Sequence, residues 1–165
     1  MNFDIIKLTQ YYDIEKLTVD VLKLVQDNTT SVTLSSTMTD FDMYTSHTTP
    51  LQGTAVLESD FTHLHPSLRN TVFEEIWKNN IDTIGRFRIM ILQPNTSYLP
   101  HFDADYRHHL AVITNPDAVL QINNCNYHLP SDGSVYLCNT RKLHTAINNG
   151  VTRRIHLVWN DRNCE

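Results

Sequence analysis

Five short β-rich segments follow one another in the second half of the chain, and this arrangement limits the possible folds more than any other feature. They are RFRIMIL (86–92), HLAVI (109–113), AVLQI (118–122), SVYLC (134–138) and RIHLVW (154–159). Pro, Asn, Asp and Gly, which favour turns, separate them. Closely spaced short strands of this kind are typical of an antiparallel sandwich or barrel.

Apolar residues at helical spacing predict two helices before these strands, over 13–27 and 66–79. Asp13 is placed to cap the first helix, and Pro66 suits the first position of the second. No repeat or linker divides the chain. The sequence therefore predicts a single domain over 1–165, mainly β with helices packed outside. Its N-terminal part covers 1–84 and its β core covers 85–160.

Charge and hydropathy disfavour several classes of function. Lys and Arg number 13 against 18 Asp and Glu, a net charge of −5, whereas nucleic-acid binders usually carry a surplus of cations. The longest aliphatic run, 89–92, is far shorter than a membrane helix, and the first ten residues lack a signal-peptide pattern. Three cysteines without CxxC spacing (Cys125, Cys138 and Cys164) fit free thiols in a reducing compartment. We expect a cytoplasmic protein with no membrane partner, and nucleic acid is disfavoured.

Three residues in the β half have the chemistry and spacing of a metal site. His101 and Asp103 are two residues apart, so a strand would project both to the same side. His144 follows Asp103 by 41 residues, enough chain to go around a sandwich and return. Two imidazoles and one carboxylate form the facial triad of non-haem Fe(II) oxygenases. The sequence predicts an Fe(II) site here, with Asp105 as an alternative to Asp103 if the register is shifted.

Arg154 begins the last strand, ten residues after His144. A turn through 148–150 would bring it back beside His144. A carboxylate removed from water needs a fixed partner, and a bidentate arginine is the best side chain for this purpose. Arg154 therefore predicts a site for a dicarboxylate cosubstrate. His156 shares its strand face and is placed to assist the carboxylate or contact the surroundings of the metal.

Three further arginines are candidates for substrate contacts. Arg86 and Arg88 alternate toward one face of the strand that leads to the metal site, where they can meet a carboxylate or phosphate. A solvated strand face is the alternative for both. Arg141 lies in the loop before the third metal ligand and can contact substrate at a rim, with a solvated loop as the alternative. The HLH motif at 63–65 is read as surface or capping histidines, because no further cupin-type ligands follow at a usable spacing.

From Gly85 to Asn160 the sequence resembles the Fe(II)/2-oxoglutarate-dependent oxygenases of the aspartyl/asparaginyl β-hydroxylase group, which includes small bacterial and phage members. The stretches that carry the resemblance are GRFRIMILQPNTSYLPHFDADYRHHLAVI and GSVYLCNTRKLHTAINNGVTRRIHLVW. The resemblance implies a double-stranded β-helix (a cupin-like jelly roll) that binds iron, 2-oxoglutarate and O2. It implies iron on His101, Asp103 and His144, the distal carboxylate of 2-oxoglutarate on Arg154, and its other end on Arg107 and His109.

The resemblance also implies the reaction, which is hydroxylation of an unactivated C–H bond. The peptidyl members of the group have glycine in place of the acidic ligand, whereas this chain keeps Asp103. We therefore expect a free amino acid or other small molecule as substrate, with a protein Asp, Asn or Pro side chain as the alternative. In such enzymes the region that corresponds to 1–84 helps to form the substrate pocket. A cupin-type metalloenzyme without 2-oxoglutarate and a non-catalytic jelly-roll binding or assembly protein are the rival classes.

Overall fold

The computed structural model describes residues 3–45 and 56–162, and within these ranges the chain forms two α-helices and twelve β-strands. The helices are α1 (Ile14–Leu24) and α2 (Val72–Asn79). The strands are β1 (Ile5–Tyr11), β2 (Ser31–Thr33), β3 (Ser35–Ser36), β4 (His63–Leu64), β5 (Ile84–Leu92), β6 (Thr96–Ser97), β7 (Arg107–Ile113), β8 (Ala118–Ile122), β9 (Cys125–Tyr127), β10 (Ser134–Cys138), β11 (His144–Asn148) and β12 (Arg154–Asp161).

Two antiparallel sheets form the body of the protein. Six of the described strands pair in the order β1-β10-β7-β12-β5-β2, and four pair in the order β6-β11-β8-β9. From β5 to β12 the chain passes repeatedly from one sheet to the other, which is the winding of a double-stranded β-helix. The predicted fold class, mainly β with flanking helices, is confirmed.

Strict alternation along β5 divides its side chains between two environments. Phe87, Ile89 and Ile91 are buried in a large apolar core that also contains residues of both helices, such as Leu17 and Phe73. Burial of each such side chain contributes about 1.5–3 kcal/mol to folding. The residues between them project to the opposite face, toward the four-stranded sheet, where the cavity described below lies.

The two predicted helices are present but shorter than expected. Asp13 caps α1 and accepts a hydrogen bond from the backbone N–H of Lys16 at 3.1 Å. Instead of continuing to residue 27, α1 ends where Val25 takes an extended conformation. The predicted 66–79 helix is interrupted, because Asn70 has a φ of +61° and separates the 3-10 turn Pro66–Leu68 from α2.

The first part of the chain contributes strands to the larger sheet, which the sequence analysis did not resolve. β1 pairs with β10 at one edge, and β2 pairs with β5 at the other. The described residues of 1–84 therefore extend the same sheet that carries β5, β7 and β12. No helix within 3–45 and 56–162 has the length and apolar character to span a membrane. Cys125 and Cys138 are free thiols, and Cys164 lies outside the described residues.

Candidate metal centre and cavity

His101 and His144 lie directly opposite each other, joined by a pair of backbone hydrogen bonds of 3.0 and 2.9 Å. This pairing places the two imidazole rings side by side, with 4.3 Å between their centroids. His144 is the first residue of β11 and is buried, whereas the side chain of His101 is 46% exposed. The two histidines that the sequence analysis assigned to the metal are thus brought together by one local backbone contact.

Both histidines are held in the tautomer that metal binding needs. Nδ1 of His101 donates to the carbonyl oxygen of Leu99 at 2.8 Å, and Nδ1 of His144 donates to that of Lys142 at 3.0 Å. Because a carbonyl oxygen only accepts, each Nε2 keeps a free lone pair. These Nε2 atoms lie 3.9 and 3.6 Å from the carboxylate oxygens of Asp103. One ligand atom from each of the three residues lies within 4.8 Å of the others, so the cluster can hold one metal ion.

Asp103 is fixed by its backbone and by an arginine. Its N–H donates to the carbonyl oxygen of Thr140 at 2.9 Å, and Arg107 Nε donates to its Oδ2 at 2.9 Å. Burial by itself raises the pKa of Asp103, but the charge and hydrogen bond of Arg107 outweigh it, so the pKa lies below its ordinary value. Asp103 is therefore ionised at neutral pH, as a metal ligand must be. Asp105 also lines the cavity, but within the described residues it is not part of the three-residue cluster.

Glu58 takes part in the site, although the sequence analysis did not select it. Its carboxylate pairs with Arg107 through one oxygen and with Arg86 through the other, the latter at 3.2 Å. Burial raises the pKa of Glu58, but the nearby arginines, Arg107 foremost, lower it below its ordinary value. Glu58 belongs to no motif and precedes the HxD pattern by more than 40 residues, so the sequence carried no signal for it.

The cluster of His101, Asp103 and His144 opens onto a cavity of about 940 Å³ between the two sheets. Most of the residues predicted to bind cofactor or substrate line this cavity, namely Arg86, Arg88, Arg107, His109 and Arg154. Arg154 and His144 lie on different sheets and share the cavity wall. Arg141 is not among the lining residues, and its guanidinium lies 5.7 Å from the ring centroid of Tyr106.

Arg154 is buried, and its side-chain hydrogen-bond partner is a buried histidine rather than an acid. It donates to Nδ1 of His156 at 2.9 Å, and that atom lies 3.5 Å from Nδ1 of His109. His156 therefore accepts at Nδ1 and does not itself line the cavity. Burial lowers the pKa of Arg154 to about 10. Burial, and then the charge of Arg154, also lower the pKa of both histidines well below the ordinary value, so both are neutral.

Solved structures with similar folds were found at low sequence identity. AviO1 from Streptomyces viridochromogenes Tue57 matches 98% of this chain and 91% of its own, with a TM-score of 0.51 and 11% identity. A prolyl-4-hydroxylase from Pseudomonas putida matches 55% of this chain, with a TM-score of 0.38 and 13% identity. The plu4264 protein from Photorhabdus luminescens matches 46% of this chain, with a TM-score of 0.39 and 21% identity. The match spans 62% of the length of each of these last two structures.

Among curated protein sequences, none matches the chain significantly. The family model described as Aspartyl/Asparaginyl beta-hydroxylase matches residues 20–162, which is most of the chain. The matched range contains His101, Asp103 and His144, as well as Glu58 and every arginine of the cavity. The resemblance stated from the sequence is thereby confirmed. The chain belongs to the aspartyl/asparaginyl β-hydroxylase family.

Proposed function

We propose that the protein is an Fe(II)- and 2-oxoglutarate-dependent dioxygenase that hydroxylates a C–H bond of a free amino acid or another small molecule. One observation carries the proposal. The cluster of His101, Asp103 and His144 shares a cavity with Arg154, a buried cation that has no acidic partner among the described residues. Membership of a hydroxylase family supports the same reaction class.

The donor atoms fit iron. Two neutral imidazole nitrogens and one carboxylate are the set that non-haem Fe(II) enzymes use, and three ligands leave further positions open on an octahedral ion. Bound Fe(II) would supply, with 2-oxoglutarate and O2, the oxidation that couples loss of CO2 from the cosubstrate to hydroxylation of the substrate. The histidine tautomers and the ionised state of Asp103 prepare the site for such an ion.

The cosubstrate fits the arginine of the last strand. Arg154 binds the distal carboxylate, because a buried guanidinium without an acid is most stable when it binds one. His156 orients Arg154 by accepting its hydrogen bond, and His109 lines the cavity, where it can contact the cosubstrate. Arg107 already pairs with Asp103 and Glu58, which favours a role in holding the metal ligand over a direct cosubstrate contact.

The size of the cavity supports a small substrate. About 940 Å³ lies within the usual range for small-molecule sites, which is roughly 300–1,000 Å³, and has to hold the cosubstrate as well. A protein side chain is the alternative, since only its tip would need to enter. Arg141 lies outside the cavity lining, so it contacts only a substrate that extends beyond the cavity.

The test is addition of Fe(II) and then 2-oxoglutarate to the metal-free protein without oxygen, while recording the weak visible charge-transfer band of the chelate. We expect the band in the wild type and its loss in His101→Ala. In Arg154→Gln, loss of a charge-assisted contact should raise the 2-oxoglutarate concentration required by about 10- to 100-fold. Arg153→Gln is the matched control, because Arg153 is adjacent in sequence but does not line the cavity.

Three outcomes would contradict the proposal or its assignment of Arg154. Metal binding without a chelate band would indicate a cupin-type metalloenzyme that does not use 2-oxoglutarate. If no metal binds, the histidines are structural and a non-catalytic jelly-roll protein is favoured. If Arg153→Gln raises the required 2-oxoglutarate concentration more than Arg154→Gln does, Arg153 and not Arg154 binds the carboxylate.

A further inference from the structure

The arginines that line the cavity differ in whether they have an acidic partner. In the described part of the chain they are Arg86, Arg88, Arg107, Arg154 and Arg162. Glu58 pairs with Arg86 and with Arg107, and Asp103 forms a second ion pair with Arg107. Side chains of the protein itself therefore balance the charges of Arg86 and Arg107.

The other three arginines form no ion pair with any described residue. Arg162 is partly exposed and donates to the carbonyl oxygen of Ile81 at 2.9 Å. Arg154 is buried and donates to the neutral His156. The side chain of Arg88 makes no hydrogen bond within 3–45 and 56–162, and its Nε is buried without a partner. Arg88 and Arg154 are thus cavity cations without an ion-pair partner among the described residues, although Glu58 and Asp103 lie close enough to Arg88 to act on its charge.

The surroundings of Arg88 make a bound anion favourable. Burial, and then the charges of Arg86 and Arg107, lower the pKa of Arg88 to about 9, although Glu58 acts in the opposite direction. Arginine nevertheless stays protonated at neutral pH, so its charge remains in an unfavourable environment. A carboxylate or phosphate that bound there would relieve this cost and form charge-assisted hydrogen bonds.

Strand register separates Arg88 from Arg154. Arg154 pairs with Leu92 across β12 and β5, whereas Arg88 pairs with Val158. Leu92 is four residues from Arg88 along β5, which corresponds to about 14 Å between backbone positions. The two arginines therefore form separate anion sites on one cavity wall.

We propose that Arg88 binds an anionic group of the substrate, a carboxylate or a phosphate. This inference rests on the proposed function, in which one carboxylate of 2-oxoglutarate binds near the metal and the other binds Arg154. The cosubstrate then has no further charge for Arg88, so the counter-charge comes from the substrate. The substrate class is a small molecule with a carboxylate or phosphate group, which lies on β5, and a remaining part that extends toward His101, Asp103 and His144.

The first test needs no knowledge of the natural substrate. The protein is saturated with Fe(II) and 2-oxoglutarate without oxygen. The midpoint of its thermal unfolding is then measured with one of three added compounds, which are N-acetylglycine, the corresponding neutral amide N-acetylglycinamide, and methylphosphonate. The variants are Arg88→Gln and Arg88→Lys, and Arg69→Gln is the control because Arg69 is exposed and does not line the cavity.

At ten times its dissociation constant, a bound anion should raise the midpoint by about 3–6 °C in the wild type and in Arg69→Gln. The rise should be absent in Arg88→Gln, partly kept in Arg88→Lys, and absent for the amide. A larger rise with N-acetylglycine assigns the site to carboxylates, and a larger rise with methylphosphonate assigns it to phosphates. Equal behaviour of wild type and Arg88→Gln with both anions would overturn the inference.

The second test measures turnover as succinate formation with the common L-amino acids, their primary amides and small phosphate esters. We expect that the compounds with a free carboxylate or phosphate stimulate succinate formation at least about tenfold more than the amides, which lack this anionic group, and that Arg88→Gln loses this preference. The 2-oxoglutarate concentration required should not change in this variant. Equal stimulation by acids and amides would contradict an anionic substrate.

The two proposals fail in different ways. Absence of the chelate band contradicts the proposed function, and the midpoint measurements still report whether anions bind at Arg88. A normal band together with an anion response that is independent of Arg88 contradicts only the present inference. If Arg88→Gln raises the 2-oxoglutarate requirement and Arg154→Gln abolishes the N-acetylglycine response, the two arginines have the opposite roles and the inference is wrong.

Discussion

Glu58, Arg107 and Asp103 form a continuous chain of largely buried charges that ends at the cluster of candidate metal ligands. Arg107 donates to Asp103 at 2.9 Å, and Glu58 pairs with the same guanidinium and with Arg86. Each member fixes the next, since a buried guanidinium with two acidic partners has little freedom to turn. The orientation of Asp103 therefore depends on Glu58, which lies outside the cluster of His101, Asp103 and His144.

The Glu58→Gln variant tests this dependence. Glutamine keeps the size of the side chain but removes the charge that holds Arg107, so we expect the metal affinity to fall by about 10- to 100-fold. Titration with Co(II), followed by its visible absorption, measures the affinity without turnover. Glu74→Gln is the control, since Glu74 pairs with the exposed Lys78 on α2. Unchanged Co(II) affinity in Glu58→Gln would show that Arg107 holds Asp103 without help.

A comparison of Asp103→Ala with Asp105→Ala identifies the acidic ligand. Asp103 lies within reach of both histidine Nε2 atoms, whereas Asp105 is hydrogen-bonded to Asn160 at 3.4 Å. We expect Asp103→Ala to abolish 2-oxoglutarate turnover and Asp105→Ala to retain most of it. Succinate formation measures both. The reverse order would mean that the register alternative considered from the sequence is correct.

At the level of single strands, alternation on β7 and β12 places His109 and His156 in the interior. Burial lowers the pKa of both histidines well below the ordinary value, and the charge of Arg154 acts in the same direction. His144 and Arg107 lower the pKa of His109 further, and His128 lowers that of His156. Below about pH 6.5 the unfolded chain binds protons at these histidines and the folded chain does not. The free energy of unfolding must therefore decrease as the pH falls.

Each histidine should lower the free energy of unfolding by up to about 1.4 kcal/mol for each pH unit of acidification. This decrease starts at a higher pH than the range in which carboxylates titrate. Urea unfolding at about pH 7.5, 6.5 and 5.5 measures it. His156→Gln removes one of the two groups and should make the dependence shallower. An unfolding free energy that does not change between pH 7.5 and 5.5 would contradict the burial of neutral histidines.

Gly85 allows the segment that carries Glu58 to approach β5 closely. A Cβ at this position would lie 2.6 Å from the carbonyl oxygen of Glu58 and 2.4 Å from Oδ1 of Asn160. Gly85→Ala should therefore destabilise the fold by about 1–3 kcal/mol and also weaken metal binding through Glu58. Urea unfolding and Co(II) titration measure the two effects. A variant with wild-type values for both would mean that the Glu58 segment can move away without cost.

For the whole molecule, the two faces of the larger sheet lie in different environments. One face packs against the helices in an apolar core, and the other forms the cavity wall with its buried arginines and histidines. Ligands that neutralise this wall should stabilise the folded state as a whole. Fe(II) with 2-oxoglutarate, each at about 100 times its dissociation constant, should together raise the midpoint of thermal unfolding by about 10–20 °C under anaerobic conditions.

A chelator should reverse this rise, and Arg154→Gln should respond to the metal while losing most of the response to 2-oxoglutarate. Differential scanning calorimetry measures each midpoint. A 2-oxoglutarate response that persists unchanged in Arg154→Gln would place the cosubstrate elsewhere in the cavity.

The sequence by itself determined five strands of the β core, the cap of α1, and the choice of His101, Asp103 and His144 as one site, whereas β6, β9 and β11 were not predicted. The strands and the cap follow short-range rules, since a period of two assigns each strand residue to a face, and side-chain chemistry indicates candidate metal ligands. His101 and Asp103 do not lie on a strand as predicted, because His101 forms only an isolated bridge with His144 and Asp103 follows in irregular structure. The tertiary structure decided the partners of the arginines. Arg86 and Arg88 have the same strand face and the same side chain, yet only Arg86 pairs with Glu58. That difference depends on how a distant segment packs against the sheet, which no local pattern encodes.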